Sequence, residues 1–314
     1  MTRKERLYWG AAMLVIFTIP RHFEGETGRR QHNAVRSWRA SNPDARIVLF
    51  GDEDMEDAAK TDGAVAEPVT ARSNWGTPIL RNVFDDVRRK YPAEAYVYMN
   101  ADIILLEDIG CFLRDVPLAA YLGVARRTNL DVDTELSFED ARWRDALRAR
   151  LRTEGQLDSP SAMDWFLMKG DGPWVEPLAF IVGRPAWDNW MVFAARARGL
   201  PVVDFSDAVE IVHQNHDYAH VPDRSGARWS GPEAAVNRRL AWEAGARHRR
   251  GQVYSIAHAT HGYDGRRLRR KIGIERWREQ WRVAAMTFPR LAGLIYAIQD
   301  LQGLIRGRDR KAPP

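Results

Sequence analysis

The 314-residue chain has one cysteine, Cys111. That excludes an intrachain disulfide framework and suits a reducing compartment, so a cytoplasmic protein is expected. Long apolar runs are also missing. The longest uncharged stretch near the N-terminus, Leu7 to Pro20, falls short of the roughly 20 residues that a spanning helix needs, and no small-residue cleavage site follows it. Because it ends in MLVIFTIP, it reads as a buried first strand. There are no internal repeats, no low-complexity block, no H-E-x-x-H helix and no paired cysteines, which counts against zinc-hydrolase chemistry. A general excess of positive charge is absent too. The net charge is +5, yet 13 of the 47 basic and 5 of the 42 acidic residues lie between His261 and Pro314, a local net of +8 that leaves −3 on residues 1–260. The body of the chain therefore lacks the footprint of a nucleic-acid binder, and no nucleic-acid partner is expected.

What is present is an ordinary globular balance, 45% hydrophobic and 28% charged, with a regular alternation of patterns. MLVIF (13–17), RIVLF (46–50) and AYVYM (95–99) are continuous apolar runs of strand length, and a short strand is expected over 64–69. Between them, Ala34, Val35 and Trp38 recur at helical spacing before Asn42-Pro43, as do Ile79, Leu80, Val83, Phe84 and Val87 after Thr77-Pro78. Strands alternating with amphipathic helices predict an α/β fold, a doubly wound and mostly parallel sheet covered by helices on both faces. Further on, DWFLM (164–168), LAFIVG (178–183) and PVVDF (201–205) read as strands. Helices are expected around 142–152, from Trp187 through Ala194, and over 232–244. Ligands of such sheets sit beyond the carboxyl ends of the strands. There the polar ends Thr18–Arg21, Gly51–Glu53 and Asn100–Asp102 would meet.

Three stretches could carry chemistry. Asn100-Ala101-Asp102 ends a buried strand, so Asp102 is held rigidly at the ligand edge, where one or two oxygen ligands completed by substrate phosphates suit Mg2+ or Mn2+. The plainer reading is a turn. HQNHDYAH (213–220) holds three histidines, and continued strand alternation would put His213, Asn215 and Asp217 on one side. GRPAWDNW (183–190) sets Asp188 in the first turn of a helix, as a cap or as a general base aimed at a cleft. Trp187 and Trp190 beside it are core residues or a platform for a sugar ring. Arg81 lies off the apolar face of its helix, either solvated or paired with a diphosphate.

In their order along the chain, TIPR, FGDE, GTPILRN, YVYMNADIIL, AFIVGRPAWDNW and VHQNHDYAH resemble the GT-A-type glycosyltransferases of the nucleotide-diphospho-sugar transferase superfamily, over residues 12–245. The resemblance implies a GT-A-like catalytic domain, 1–260, and the charge and apolar spacing of the remainder predict a basic amphipathic helical tail, 261–314. It implies transfer from a nucleoside-diphosphate sugar, a UDP-sugar foremost, to a hydroxyl acceptor, with Mn2+ or Mg2+ as cofactor; a membrane-contacting tail would suit an envelope or lipid-linked glycan as that acceptor. Asn100 stands where the superfamily's metal motif has its first aspartate. Asp102, Asn100 and His213 become the implied metal ligands. Thr18, Ile19, Arg21, Asp52, Arg81, Asn100, Ala101, Asp102 and Asp164 become the donor contacts, Trp187 and Asn189 the acceptor contacts, and Asp188 the base of an inverting reaction. A retaining reaction would need no such base. A sugar nucleotidylyltransferase and a nucleotide-sugar-binding protein without turnover remain alternatives. In the tail, RRLRRK (266–271) precedes Trp277, Trp281, Ala284 and Phe288, then Leu291, Ile295, Ile298, Leu301 and Ile305, all at helical spacing. This pattern fits either a stripe packed on the catalytic domain or peripheral contact with an anionic inner membrane face.

Overall fold

The computed structural model describes residues 12–52, 55–140, 142–171, 178–216, 231–244 and 254–272. The first half runs β1 (Ala12–Thr18), α1 (Gly25–Ser41), β2 (Arg46–Gly51), α2 (Met55–Thr61), β3 (Val65–Pro68), α3 (Leu80–Lys90) and β4 (Ala93–Met99). Then come β5 (Ile103–Leu105), α4 (Ile109–Asp115), β6 (Tyr121–Val124), β7 (Arg127–Leu130), α5 (Trp143–Glu154), β8 (Gln156–Leu157) and β9 (Trp165–Lys169). The chain continues with α6 (Trp187–Ala197), β10 (Val202–Asp204), β11 (Ile211–Gln214), α7 (Pro232–Ala244), β12 (His261–Tyr263) and β13 (Leu268–Arg270).

Nine strands form the main sheet in the order β13-β12-β10-β6-β9-β4-β1-β2-β3. β3, β2, β1 and β4 are mutually parallel, as are β6, β10 and β12, while β9 and β13 run antiparallel to their neighbours. The expected mostly parallel sheet is thus present, with one reversed strand, β9, inserted at its centre.

The apolar runs are continuous because both faces of the sheet are covered. Val15, Phe17, Val48, Phe50, Tyr96 and Tyr98 face one core with α3 and α6. Leu14, Ile16, Ile47, Leu49, Val97 and Met99 face the other with Ala34, Val35 and Trp38 of α1. Each such side chain contributes about 1.5–3 kcal/mol relative to exposure.

A second, four-stranded sheet, β5-β11-β7-β8, was not expected from the sequence. The chain leaves the main sheet at the Asn100–Asp102 turn and enters this one as β5, which pairs antiparallel with β11. The outer edge of β5 is closed by side chains of α1. Trp38 Nε1 donates to the Ile103 carbonyl (2.7 Å), Ser41 Oγ to the Leu105 carbonyl (2.9 Å), and the Leu105 N–H donates to Ser37 Oγ (3.0 Å). A helix thereby satisfies edge groups that would otherwise be unpaired.

Two expectations fail. LAFIVG forms no strand. Phe180 and Ile181 are buried, but the segment makes only a single bridge between Ile79 and Ile181, with the Leu80 N–H donating to the Phe180 carbonyl at the start of α3. The boundary at 260/261 also cuts through folded structure, because β12 pairs with β10 and β13 with β12. The middle of RRLRRK, Leu268–Arg270, is the edge strand β13 of the main sheet and not part of a helix. Residues 273–314, with the rest of the expected tail, lie outside the described residues, as do Asp217 and His220.

Candidate metal and donor site

The parallel strands β1, β2 and β4 end at one edge, and the structure assembles its most distinctive polar group there. Asp102 sits just before β5, His213 lies opposite Ile103 in the β5–β11 pairing, and His216 follows two residues past the end of β11. Nε2 of His216 is 3.1 Å from Asp102 Oδ2, and Nε2 of His213 is 3.6 Å away. One ligand atom from each of the three lies within 4.8 Å of the other two. Burial by itself raises the carboxyl's pKa, but the two imidazoles beside it, His213 and the hydrogen-bonded His216, outweigh it and hold Asp102 far below the usual carboxylate range. The Asp102 side chain keeps 23% of its exposure, so it can be reached from solvent.

The donor set fits a divalent cation. Ligand atoms about 2.1 Å from an octahedral ion stand about 3 Å apart, close to the spacings seen here. Asp102 Oδ1 and His213 Nδ1 are buried without hydrogen-bond partners among the described residues, so they have capacity left for a ligand or its supporting contacts. One carboxylate with two imidazoles suits a first-row divalent ion with open positions. The turn is fixed from behind by Gln214, fully buried, whose Nε2 donates to the carbonyls of Asp102 (3.1 Å) and Arg30 (2.8 Å). Asn33 Nδ2 donates to Gln214 Oε1 (3.1 Å), which locks the turn onto α1.

The sequence-derived candidates divide into groups. Asp102 and His213 come together as expected. His216 joins them, although strand alternation favoured Asn215 and Asp217. β11 stops at Gln214, and Asn215 Nδ2 instead donates to Asp131 Oδ1 (2.8 Å). Asn100 Nδ2 donates to Asp164 Oδ1 (2.6 Å), which ties its side chain to the frame behind the turn. Asp164, expected as a sugar contact, is buried, and its other oxygen accepts from Arg127. Arg127 also donates to Asp158 Oδ2 (2.9 Å). Although burial opposes its charge, Asp164 and Asp158 push the Arg127 pKa above its usual value. Arg127 and Asp158 were not found from sequence, since neither carries a motif and their pairing spans about thirty residues.

At the neighbouring strand ends, Thr18 is fully buried and its Oγ1 has no partner among the described residues. Ile19 packs on the first core. Arg21 is exposed, its backbone bracketed by Gln31, which accepts from the Arg21 N–H (2.7 Å) and donates to its carbonyl (2.9 Å). The loop after β1 is drawn so tightly onto α1 that a Cβ at Gly28 would lie 2.5 Å from the Phe23 carbonyl carbon. Asp52 is exposed and paired with Arg72. Ala101 is buried within the turn, and Arg81 is exposed in the first turn of α3.

The acceptor candidates fare differently. Trp187 is no surface platform. It is buried, with its ring edge-on to Tyr98 (5.3 Å between centroids) and tilted against Phe166 (5.2 Å). Asn189 Nδ2 donates to the Tyr254 carbonyl, so this amide holds the chain beneath α6. Asp188 is half-buried, and its Oδ1 accepts from the Asn189 N–H (2.8 Å). Before it, Ala186 adopts φ 84°, a left-handed conformation uncommon for a residue with a Cβ. Through Trp187 and Tyr98, the start of α6 is anchored near the carboxyl end of β4. Burial first, then the carboxylates of Asp164 and Asp102, raise the Tyr98 pKa well above its ordinary value.

No protein-family model matches the chain, and no curated protein matches it in sequence. Among solved structures, the chain is similar to the mannosyltransferase PcManGT from Pyrobaculum calidifontis in complex with GDP-Man and Mn2+, at 12% identity over 69% of this chain and 59% of that one, with a TM-score of 0.41. It is similar to S. aureus TarS at 10% identity, covering 91% of this chain and 52% of that one, with a TM-score of 0.42. For glucosyl-3-phosphoglycerate synthase from Mycobacterium tuberculosis in complex with Mn2+ and UDP-glucose, the identity is 14%, the coverage 73% and 79%, and the TM-score 0.38. These are partial likenesses of chain course at low identity, and the chain spans little more than half of two of the three.

Proposed function

We propose that the chain is a GT-A-type glycosyltransferase that moves a sugar from a nucleoside-diphosphate sugar to a hydroxyl acceptor. The observation that carries this reading is the convergence of Asp102, His213 and His216 at the carboxyl edge of a doubly wound sheet. These three residues would hold Mn2+ or Mg2+. When bound, such a cation supplies positive charge beside a departing nucleoside diphosphate. The strand ends at Thr18–Arg21 and Asp52 flank the donor nucleotide, with a uridine nucleotide as the first candidate, and Arg81 adds a bidentate contact to its phosphates. Asp188 takes the proton from the acceptor hydroxyl as it attacks the anomeric carbon, the role a base has in an inverting reaction. Asp164, Asn100 and Arg127 act as the frame of the turn. The acceptor is an envelope or lipid-linked glycan, and contact with an anionic membrane face by the C-terminal region brings the enzyme to it.

The test is calorimetric titration of nucleoside diphosphates with and without Mn2+, on the wild-type chain and on Asp102→Ala. Binding that depends on Mn2+ in the wild type and is lost in the variant is expected. Undiminished Mn2+-dependent binding in Asp102→Ala would sink the assignment. A second reading, a nucleotide-sugar-binding protein without turnover, draws on one observation: Asn100 stands in place of a carboxylate and is committed to Asp164. Release of nucleoside diphosphate from a panel of nucleotide sugars separates the two.

A further inference from the structure

Asn129 contains an oxygen that the fold buries without a partner. β7 and β11 run parallel with Asn129 opposite His213, and paired residues on adjacent strands project to the same face of the sheet. Arg127 and Asn129, two apart on β7, confirm that face by both donating to Asp158 Oδ2, at 2.9 and 3.1 Å. The contact also orients the amide, since turning it over would set its carbonyl oxygen against a carboxylate. Oδ1 is thus left as an acceptor, and among the described residues it is buried with no donor. His213 Nδ1 is the complementary case, a buried ring nitrogen with no partner. The fold places an unmatched acceptor and an unmatched ring nitrogen at paired positions on one face.

A neutral imidazole carries one proton. Nε2 can offer its lone pair to a cation only while that proton sits on Nδ1, and a ring set this way needs an acceptor beside Nδ1. Nε2 is the His213 nitrogen that faces Asp102. We propose that Asn129 is the positioning residue that sets the His213 ring for a cation, its Oδ1 taking the Nδ1 proton when Nε2 binds. Asp158 holds the amide from the far side and is itself held by Arg127, which also binds Asp164, so the frame behind the Asn100–Asp102 turn also orients the histidine. The inference rests on reading Asp102, His213 and His216 as a divalent-cation site.

The experiment uses the full chain and Mn2+ alone, titrated calorimetrically into the wild type, Asn129→Ala and the exchanged pair Asn129→Asp with Asp158→Asn. Loss of an outer hydrogen bond to a ligating histidine weakens metal affinity by about 10–100-fold. That loss is expected in Asn129→Ala, with most of it recovered in the exchanged pair, which keeps an oxygen acceptor at 129 and an amide donor at 158 to meet it. Long-range 15N–1H spectra of the Zn2+-loaded wild type should show the His213 proton on Nδ1, a signature that a purely structural role for Asn129 does not require. Wild-type Mn2+ affinity in a folded Asn129→Ala would overturn the proposal and leave the cation site standing. If Asn129→Ala does not fold, the wild-type spectrum decides, and a proton on Nε2 overturns the proposal. A wild-type chain that binds no Mn2+ removes both readings together.

Discussion

At the scale of single residues, the site combines groups whose surroundings assign them different tasks. Asp102 is ionised, reachable and faced by two imidazoles, whereas Asp164 is buried and has both oxygens committed to Asn100 and Arg127. Two carboxylates on one sheet edge are thus separated into a ligand and a support. Asp188 belongs to neither class. In α6 its Oδ1 accepts from the Asn189 N–H, and its charge lies in the helix's first turn. Asn keeps an oxygen for that N–H and gives up a first-turn carboxylate contribution of about 0.3–1 kcal/mol, so Asp188→Asn should lower the thermal midpoint by only a few degrees. As the proton acceptor in transfer, the same change should lower turnover by on the order of 10²–10⁴-fold, with donor binding kept. Wild-type turnover in Asp188→Asn, followed by nucleoside diphosphate release, would rule out the base and favour a retaining reaction.

At the scale of elements, the β5–β11 pair places Asp102 beside the histidines, and Glu107 fastens that pair at its other end. Glu107 accepts from the Glu210 N–H (2.9 Å), just before β11, and from Arg148 Nη2 of α5 (2.9 Å). Burial is the largest influence and pushes its pKa up to about 7, beyond what these two donors offset. A carboxyl raised on folding binds its proton more tightly in the folded state. Its contribution to stability is therefore complete below about pH 4.5 and is lost as pH rises through about 7. Glu107→Gln cannot ionise. Chemical denaturation at pH 4.5 and pH 7.5 should show the wild type losing on the order of 2 kcal/mol more than the variant. Parallel losses in the two proteins would show that Glu107 does not titrate in this window.

The elements also explain what could be read from the sequence. Strands buried on both faces write themselves as continuous apolar runs, so β1, β2 and β4 were legible, as were α3 and α6 from their spacing. LAFIVG misled because burial alone makes an apolar run. Its hydrogen bonds go to the start of α3 and to α7, where Asn237 bonds both the N–H and the carbonyl of Ile181. β6 and β7 are four residues each and carry no period long enough to register. Asp102 and His213 were visible because a polar strand end and a histidine cluster are local signals. Arg127, Asn129 and Gln214 were invisible because their roles exist only once distant strands pair. His216 was passed over for a similar reason, since its place depends on where β11 stops.

At the scale of the whole molecule, the main sheet ends in two strands that resist further pairing. β3 is short and closes with Glu67 and Pro68, and β13 carries Arg269 and Arg270 flanked by Arg266, Arg267 and Lys271. Charge and proline on edge strands oppose edge-to-edge association. The basic cluster therefore has a structural use within the fold, and Lys271 anchors it by donating to Asp204 Oδ2 (2.7 Å) on β10. Truncation should then depend sharply on where the chain is cut. A chain ending at residue 272 keeps both edges, and its unfolding should remain cooperative with Mn2+-dependent nucleotide binding intact. A chain ending at residue 264 loses β13 and Lys271, uncovers β12, and should associate in sedimentation velocity. The full chain set beside the chain ending at 272 tests the proposed membrane contact, since each Lys or Arg near an anionic leaflet contributes about 1 kcal/mol, a contribution that salt screens. The full chain should pellet with anionic vesicles at low salt and release at high salt, and the chain ending at 272 should pellet less. Equal pelleting of the two would assign the contact to the arginine face of β13. A full chain that ignores the vesicles at low salt would leave those arginines with their edge-guarding role alone.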